Sequence, residues 1–248
     1  MNTRVDPVTD EVPDLTTEQM VEVDRSMIED YGIELIQMME NAGRNLAHLA
    51  RERFLDSTAQ GKHVIVLAGR GGNGGGAMVC ARHLSNWGAS VSVHLTKEAG
   101  EFQGVPAQQL SILSRMQLPI AQPGDAELLS KSSGADVIVD GLIGYSLSGS
   151  PRGTVAELIR WANKQSAPIL SLDAPSGLDT ATGKVFDPVI KAAATLTLAL
   201  PKRGLRSQSK QVGEIYLADI SVPPALYEKA LGLKVGPLFA ESDIIRLQ

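Results

Sequence analysis

A single cysteine, Cys80, excludes an intramolecular disulfide, and the four histidines (His48, His63, His83, His94) are scattered with no zinc-like Cys/His spacing. No basic run interrupts a chain of net charge -5, which argues against nucleic acid as the main partner. No apolar stretch approaches the length of a membrane span, so no membrane partner is expected. Residues Met1 to Pro13 lack the apolar core of a signal peptide and the Arg-rich, acid-poor character of a transit peptide. The expected location is cytoplasmic. Cys80 itself reads as a small core residue on the apolar side of a helix.

With 43% hydrophobic and 21% charged residues among 248, a substantial core is available. No linker, repeat or low-complexity segment divides the chain, so one domain over residues 14–248 follows an acidic tail, 1–13. Thr16-Thr17-Glu18-Gln19 has capping-box form and opens a helix carrying Met20, Val23, Met27 and Ile28 at helical spacing. A second helix, Glu34 to Leu55, has an apolar stripe of Leu35, Ile36, Met39, Ala42, Leu46 and Leu49. Strands are predicted at His63–Ala68, Ser90–Leu95, Pro119–Ala121, Ala135–Asp140, Ala167–Leu172, Ala193–Leu200 and Gly213–Ala218. Helices are predicted at Ala77–Trp87, Val105–Met116, Ala126–Lys131 and Thr154–Lys164. This alternation gives an α/β fold with a mostly parallel sheet, preceded by two amino-terminal helices that cover a sheet edge or form a dimer contact.

Between the first strand and its helix, Gly69-Arg70-Gly71-Gly72-Asn73-Gly74-Gly75-Gly76 lets a ligand approach bare backbone, and the helix start favours an anion such as phosphate. Asn73 reads either as an N-cap or as a ligand to a bound ion or substrate. In parallel sheets ligands bind beyond the carboxyl ends of strands, and Asp140, Asp173 and Ser176 all stand at such ends. Oxygen donors from Asn73, Asp140 and Ser176 suit a hard cation, leaving Asp173 for proton transfer. Gly144-Tyr145-Ser146-Leu147-Ser148-Gly149-Ser150 supplies hydroxyls and flexible backbone. Arg152 beside it reads as a phosphate ligand or a solvated charge. Two motifs weaken. The Gly69-x-Gly71-x-x-Gly74 match to a dehydrogenase fingerprint is cheap in so glycine-rich a loop, and Glu98 falls past the strand where a ribose-binding acid would sit. Ser146 resembles a nucleophile elbow, but Ser148 stands where the closing glycine belongs.

Gly71-Gly72-Asn73-Gly74-Gly75-Gly76-Ala77-Met78 resembles the glycine loop of the NAD(P)H-hydrate epimerases, the YjeF amino-terminal domain family. Met39-Glu40-Asn41-Ala42-Gly43-Arg44, Val139 to Gly144, Asp173 to Asp179 and Leu200-Pro201-Lys202 agree in order and spacing, and the ending from Ser221 looks most like the apolipoprotein A-I-binding protein type. The resemblance implies a Rossmann-like three-layer α/β/α sandwich, a homodimer, and interconversion of the R and S hydrates of NADH and NADPH at C6 of the nicotinamide ring. A leaving hydroxyl next to the ring nitrogen gives an iminium, and water returns to the other face. By position, Asn73, Asp140 and Ser176 would hold K+. Gly72, Asn73, Gly74, Gly75, Gly76, Gly144 to Ser150 and Asp173 would contact substrate, with Asp173 the acid/base. A separate dehydratase would act on the product. The family's usual loop reads Gly-Asn-Asn-Gly-Gly-Asp-Gly, so Gly72, Gly76 and Ala77 depart from it. The alternative reading is a catalytically silent nucleotide-binding or scaffold module of the same fold; a dehydrogenase is weaker still, for want of a hydride-transfer pairing.

Overall fold

Buried side chains alternate along the first strand, β1 (His63–Ala68): Val64, Val66 and Ala68 pack on one side of the sheet, Ile65 and Leu67 on the other. A strand apolar on both faces needs helices on both faces. The computed structural model describes residues 12–125 and 134–247. Before β1 come α1 (Thr17–Glu29) and α2 (Leu35–Phe54); after it come α3 (Gly72–Asn86), β2 (Ser90–Leu95), α4 (Gly104–Arg115) and β3 (Ile120–Ala121). Then follow β4 (Val137–Gly141), α5 (Gly153–Ala162), β5 (Ile169–Leu172), β6 (Ala194–Leu198), α6 (Ser209–Val212), β7 (Glu214–Ala218), α7 (Pro224–Leu231) and β8 (Ile244–Arg246). The helix expected at 126–131 and most of the acidic tail lie outside the described residues.

The sheet has the order β3-β2-β1-β4-β5-β6-β7-β8, parallel throughout except for β8, which pairs antiparallel with β7. One face is covered by α3, α4 and the carboxyl half of α2, whose Leu46, Leu49 and Ala50 join Val64, Val66 and Tyr216. The other is covered by α5, through Leu158, Ile159 and Ala162, and by α1 and α7, which meet over Leu217 and Ile245. The three-layer α/β/α arrangement is thus as the sequence implied. So is the capping box, in which Thr16 Oγ1 accepts from the Gln19 N–H (3.2 Å) and Gln19 Oε1 accepts from the Thr16 N–H (2.9 Å).

Several expectations need correction. Helix α3 begins at Gly72, not Ala77, so Asn73 to Gly76 form its first turn. Tertiary packing overrides glycine's poor helix propensity there. The stripe on α2 is narrower at its start: Leu35 and Ile36 are each 40% exposed, as is Ile28 of α1 at 41%. Asn45 of α2 is buried, and its Nδ2 donates to Asp219 O (2.8 Å). Gly43 permits the close crossing of α2 over α3, because a Cβ there would meet Gly76 O and Val79. Helices α6 and α7 and strand β8 were not anticipated.

Candidate functional site

Strand order reverses between β1 and β4, so the segments leaving their carboxyl ends diverge to opposite faces and open a crevice. A cleft of about 790 Å³ lies there, within the usual range for a small-molecule site. Its walls are the glycine segment after β1, residues 142–146 after β4, and the amino end of α5; its roof comes from Asp24 of α1 and Met38 and Met39 of α2. The amino ends of α3 and α5 both reach it, bringing two sets of unpaired N–H groups. Arg70, Lys97 and Arg152 line it with exposed side chains, giving a cationic rim on an acidic chain. Lys97 is also ion-paired with Glu101 (3.6 Å).

At the floor stands Asp173, just past β5, in a left-handed backbone conformation (φ 65°) and 2% exposed. Its Oδ2 accepts from the Tyr145 N–H (3.0 Å), and its Oδ1 is ion-paired to Lys202 Nζ. Lys202 is 1% exposed and also donates to Leu198 O (2.9 Å). A buried lysine needs such partners, since an unpaired ammonium in the interior is strongly destabilising. Its backbone is held by the segment before α1: the Leu15 N–H donates to Pro201 O (2.8 Å), and the Arg203 N–H donates to Leu15 O (3.1 Å). On the roof, the Tyr145 hydroxyl donates to Asp24 Oδ2 (2.6 Å). Burial raises the Asp24 carboxyl above its ordinary value, partly opposed by that hydrogen bond and by Lys202. Burial and the Asp24 bond likewise raise the Tyr145 phenol.

Asp140 sits behind the cleft rather than in it. Fully buried at the end of β4, its Oδ1 accepts from Ser176 Oγ (2.6 Å) and the Leu142 N–H (3.2 Å). Its Oδ2 accepts from Ser171 Oγ (2.9 Å) and the Ser176 N–H (2.9 Å). Burial raises its carboxyl, against the lowering effect of the Ser176 and Ser171 bonds. Among the described residues no basic side chain is ion-paired to it. Asn73 is not an N-cap; that position is Gly71, and Asn73 Nδ2 donates to Leu172 O (2.8 Å). Its Oδ1 turns toward Gly144, where an added Cβ would lie 3.0 Å from Asn73 Oδ1 and 3.1 Å from Asp173 Oδ2. Gly144 is therefore the close approach that brings these two side chains together.

Of the residues expected to contact substrate, Gly72, Asn73, Gly76, Gly144, Tyr145, Ser146 and Asp173 line the cleft. Gly74 and Gly75 do not, because α3 has already begun and they face Gly69 and Met39. Leu147, Ser148, Gly149 and Ser150 lie beyond the lining. The two departures in the glycine loop differ physically. A side chain at Gly72 would meet open space, whereas at Gly76 the place of a Cβ is taken by Leu172 Cδ2, 2.8 Å away. The residues given no role from sequence are Asp24, Lys202, Arg70 and Lys97; Lys202 stood in the family-like stretch Leu200-Pro201-Lys202 and Arg70 in the glycine loop, while Asp24 and Lys97 left no signal.

Residues 35–204 match the family described as YjeF-related protein N-terminus. The chain is 44% identical over 221 residues to an NAD(P)H-hydrate epimerase of Dehalogenimonas lykanthroporepellens, covering 89% of this chain and 86% of that one. It is 33% identical to an NAD(P)H-hydrate epimerase of Rhodopirellula baltica, covering 86% of each. Against the bifunctional NAD(P)H-hydrate repair enzyme Nnr of Salinibacter ruber, identity is 34%, over 88% of this chain and 42% of the relative. The crystal structure of yeast ynu0, YNL200c, superposes with a TM-score of 0.81 at 27% identity, covering 95% of this chain and all of that one.

Proposed function

Since the chain belongs to the YjeF-related protein N-terminus family, we propose that it interconverts the R and S hydrates of NADH and NADPH at C6 of the nicotinamide ring. The observation that carries this reading is the buried Asp173–Lys202 pair at the floor of a cleft with a cationic rim. The rim and the two helix ends suit the substrate's phosphates. Asp173 suits proton transfer to the C6 hydroxyl, a contribution of roughly 10²–10⁴ in rate. As the C6–O bond breaks, its electron pair leaves with oxygen, the ring nitrogen lone pair forms the iminium, and water re-adds. No electron acceptor is needed. Lys202 and the Tyr145 N–H fix the Asp173 carboxylate in place.

Asn73, Asp140 and Ser176 would hold K+. All three offer hard oxygen atoms, and a buried carboxylate met only by neutral donors fits a cation beside it. When bound, the ion would supply a fixed positive charge to the site. The exposed Val21, Ile28, Leu35 and Ile36 support a homodimer through α1 and α2. Among the described residues no helix is long and apolar enough to cross a membrane, which fits a cytoplasmic enzyme. Bifunctional relatives support a partnership with a separate dehydratase acting on the product.

The test uses purified protein and one separated epimer of hydrated NADPH in ¹⁸O-labelled water. Interconversion with label in the product is expected, and Asp173→Asn should lower it by about 10²-fold while nucleotide binding stays measurable. Absence of interconversion in the wild type would leave the silent-module reading, which the filling of the Gly76 site by Leu172 favours.

A further inference from the structure

Epimerisation by loss and return of water poses a demand that one carboxylate on one side of the ring does not meet. Oxygen leaves from one face of C6 and arrives on the other, so a group on each side must handle a proton. Among the described residues, the carboxylates lining the cleft are Asp173 and Asp24. They come from different elements, Asp173 from the end of β5 and Asp24 from α1. Tyr145 spans the interval: its backbone N–H bonds Asp173 and its hydroxyl bonds Asp24. The two carboxylates are therefore held at the two ends of Tyr145.

We infer that Asp24 is the second proton-transfer group of this site, serving the face of the nicotinamide ring opposite Asp173. This deepens the epimerase reading and rests on it. In one direction the Asp24 carboxyl gives its proton to the departing hydroxyl, oxygen leaves as water with the C6–O pair, and the nitrogen lone pair forms C6=N. Water then attacks from the Asp173 side, the C6=N pair returns to nitrogen, and the Asp173 carboxylate takes the water's proton. The opposite direction reverses both roles, and the open mouth of the cleft lets solvent reset the proton count. Tyr145 holds Asp24 in position and lines the cleft between the two. Burial of Asp24, which raises its carboxyl, brings it nearer to neutral pH, as a group that alternates between acid and base requires. The groups facing Asp24 are Tyr145, Asp173 and Lys202 around the cleft and Tyr227 of α7.

Asp24→Asn is nearly isosteric and keeps an oxygen to accept the Tyr145 hydroxyl. The measurement follows two processes at once in ¹⁸O-labelled water, interconversion of hydrated NADPH epimers and label uptake into the unconverted starting epimer. With Asp24→Asn, interconversion is expected to fall by about 10²-fold. Label uptake should persist in the epimer whose hydroxyl faces Asp173, because departure and return on that face need Asp173 alone. KM should change by no more than a few-fold. A merely structural role would not separate the two processes. Interconversion within a few-fold of wild type would overturn the inference, as would an equal fall in both. Should Asp24→Asn fail to fold, Tyr145→Phe takes its place: removing a hydrogen bond to the Asp24 anion should move the corresponding limb of the pH profile upward, and an unmoved limb overturns the inference. A wild type that interconverts while Asp24→Asn is unaffected refutes only the role of Asp24. A wild type that does not interconvert refutes the function itself.

Discussion

At the start of α3 four glycines differ in their surroundings, one facing open space and three facing different neighbours, so alanine at each should have a different cost. At Gly72 an added Cβ meets nothing within 4 Å. Gly72→Ala therefore removes freedom from the unfolded chain without strain and should stabilise by about 0.4–1 kcal/mol. At Gly75 the Cβ meets the Met39 thioether, a flexible end that can turn aside, so the change should be small. At Gly76 it would lie 2.8 Å from Leu172 Cδ2, a core side chain only 1% exposed. Overpacking there should cost about 1–3 kcal/mol, relieved in part by Leu172→Ala in the same chain. At Gly74 the Cβ would run into Gly69 O, a backbone atom that cannot move without unmaking the loop, and the cost should exceed that at Gly76. Gly76→Asp, which the helix dipole alone would favour, should likewise destabilise, because the dipole's 0.3–1 kcal/mol is smaller than the overpacking term of about 1–3. Urea unfolding of the four alanine variants gives the order directly. Equal effects at Gly72 and Gly74, or a Gly76→Ala cost that Leu172→Ala does not relieve, would refute the packing account of this turn.

Lys202→Met should lower unfolding free energy by about 3–5 kcal/mol by leaving Asp173 buried without its partner, and adding Asp173→Asn should recover part of it; a loss under 1 kcal/mol in urea unfolding would refute the pair's role. K+ should raise the wild-type unfolding midpoint, by about 2.7 kcal/mol of stability at a hundred times its dissociation constant, and should not do so for Asp140→Ala; a midpoint indifferent to K+ removes the ion. Burial pushes the His94 ring down to about 4 from its ordinary 6.5 and so holds it neutral. Its contribution to stability is thus present above 6.5 and is lost as pH falls from there through 4, and a ring proton resonance titrating near 6.5 would contradict that burial.

The sheet was legible because β1, β4 and β5 are short β-branched or Leu-rich runs bounded by glycine, proline or acid, and their ends announced Asp140, Asp173 and Ser176. Pairing partners were not legible, yet Asp140 meets Ser171 only because β4 and β5 lie side by side in that register. Asp24 gave no sign of itself. It lies among Glu22, Arg25, Glu29 and Asp30, where Arg25 binds Glu22 (2.6 Å) and Glu29 (2.9 Å), and in sequence it is one more charge on a solvated face. Leu35 misled for the converse reason: its spacing assigned it to the core, but it lines the cleft. The start of α3 was hidden because glycine's poor propensity is local, while the closeness of Gly69, Met39 and Leu172 is tertiary. Strand β8 spans Ile244–Arg246 and has too few residues to show a period.

The bridge between Leu15 and Lys202 has a consequence for how the protein is made. Helix α1 leaves the ribosome long before the surface that receives Met20, Val23 and Met27, which includes Leu217, Leu226, Tyr227 and Ile245. At synthesis rates of about 5–20 residues per second, α1 waits roughly 10–40 s for its seat. Until then its apolar side is open to chaperones and proteases. Release before residue 202 leaves Asp173 without its ammonium, Asp24 without its place over the cleft, and the Met20, Val23 and Met27 side of α1 uncovered. Quality control can thus act on an aborted chain through the same segment that completes the site in a finished one.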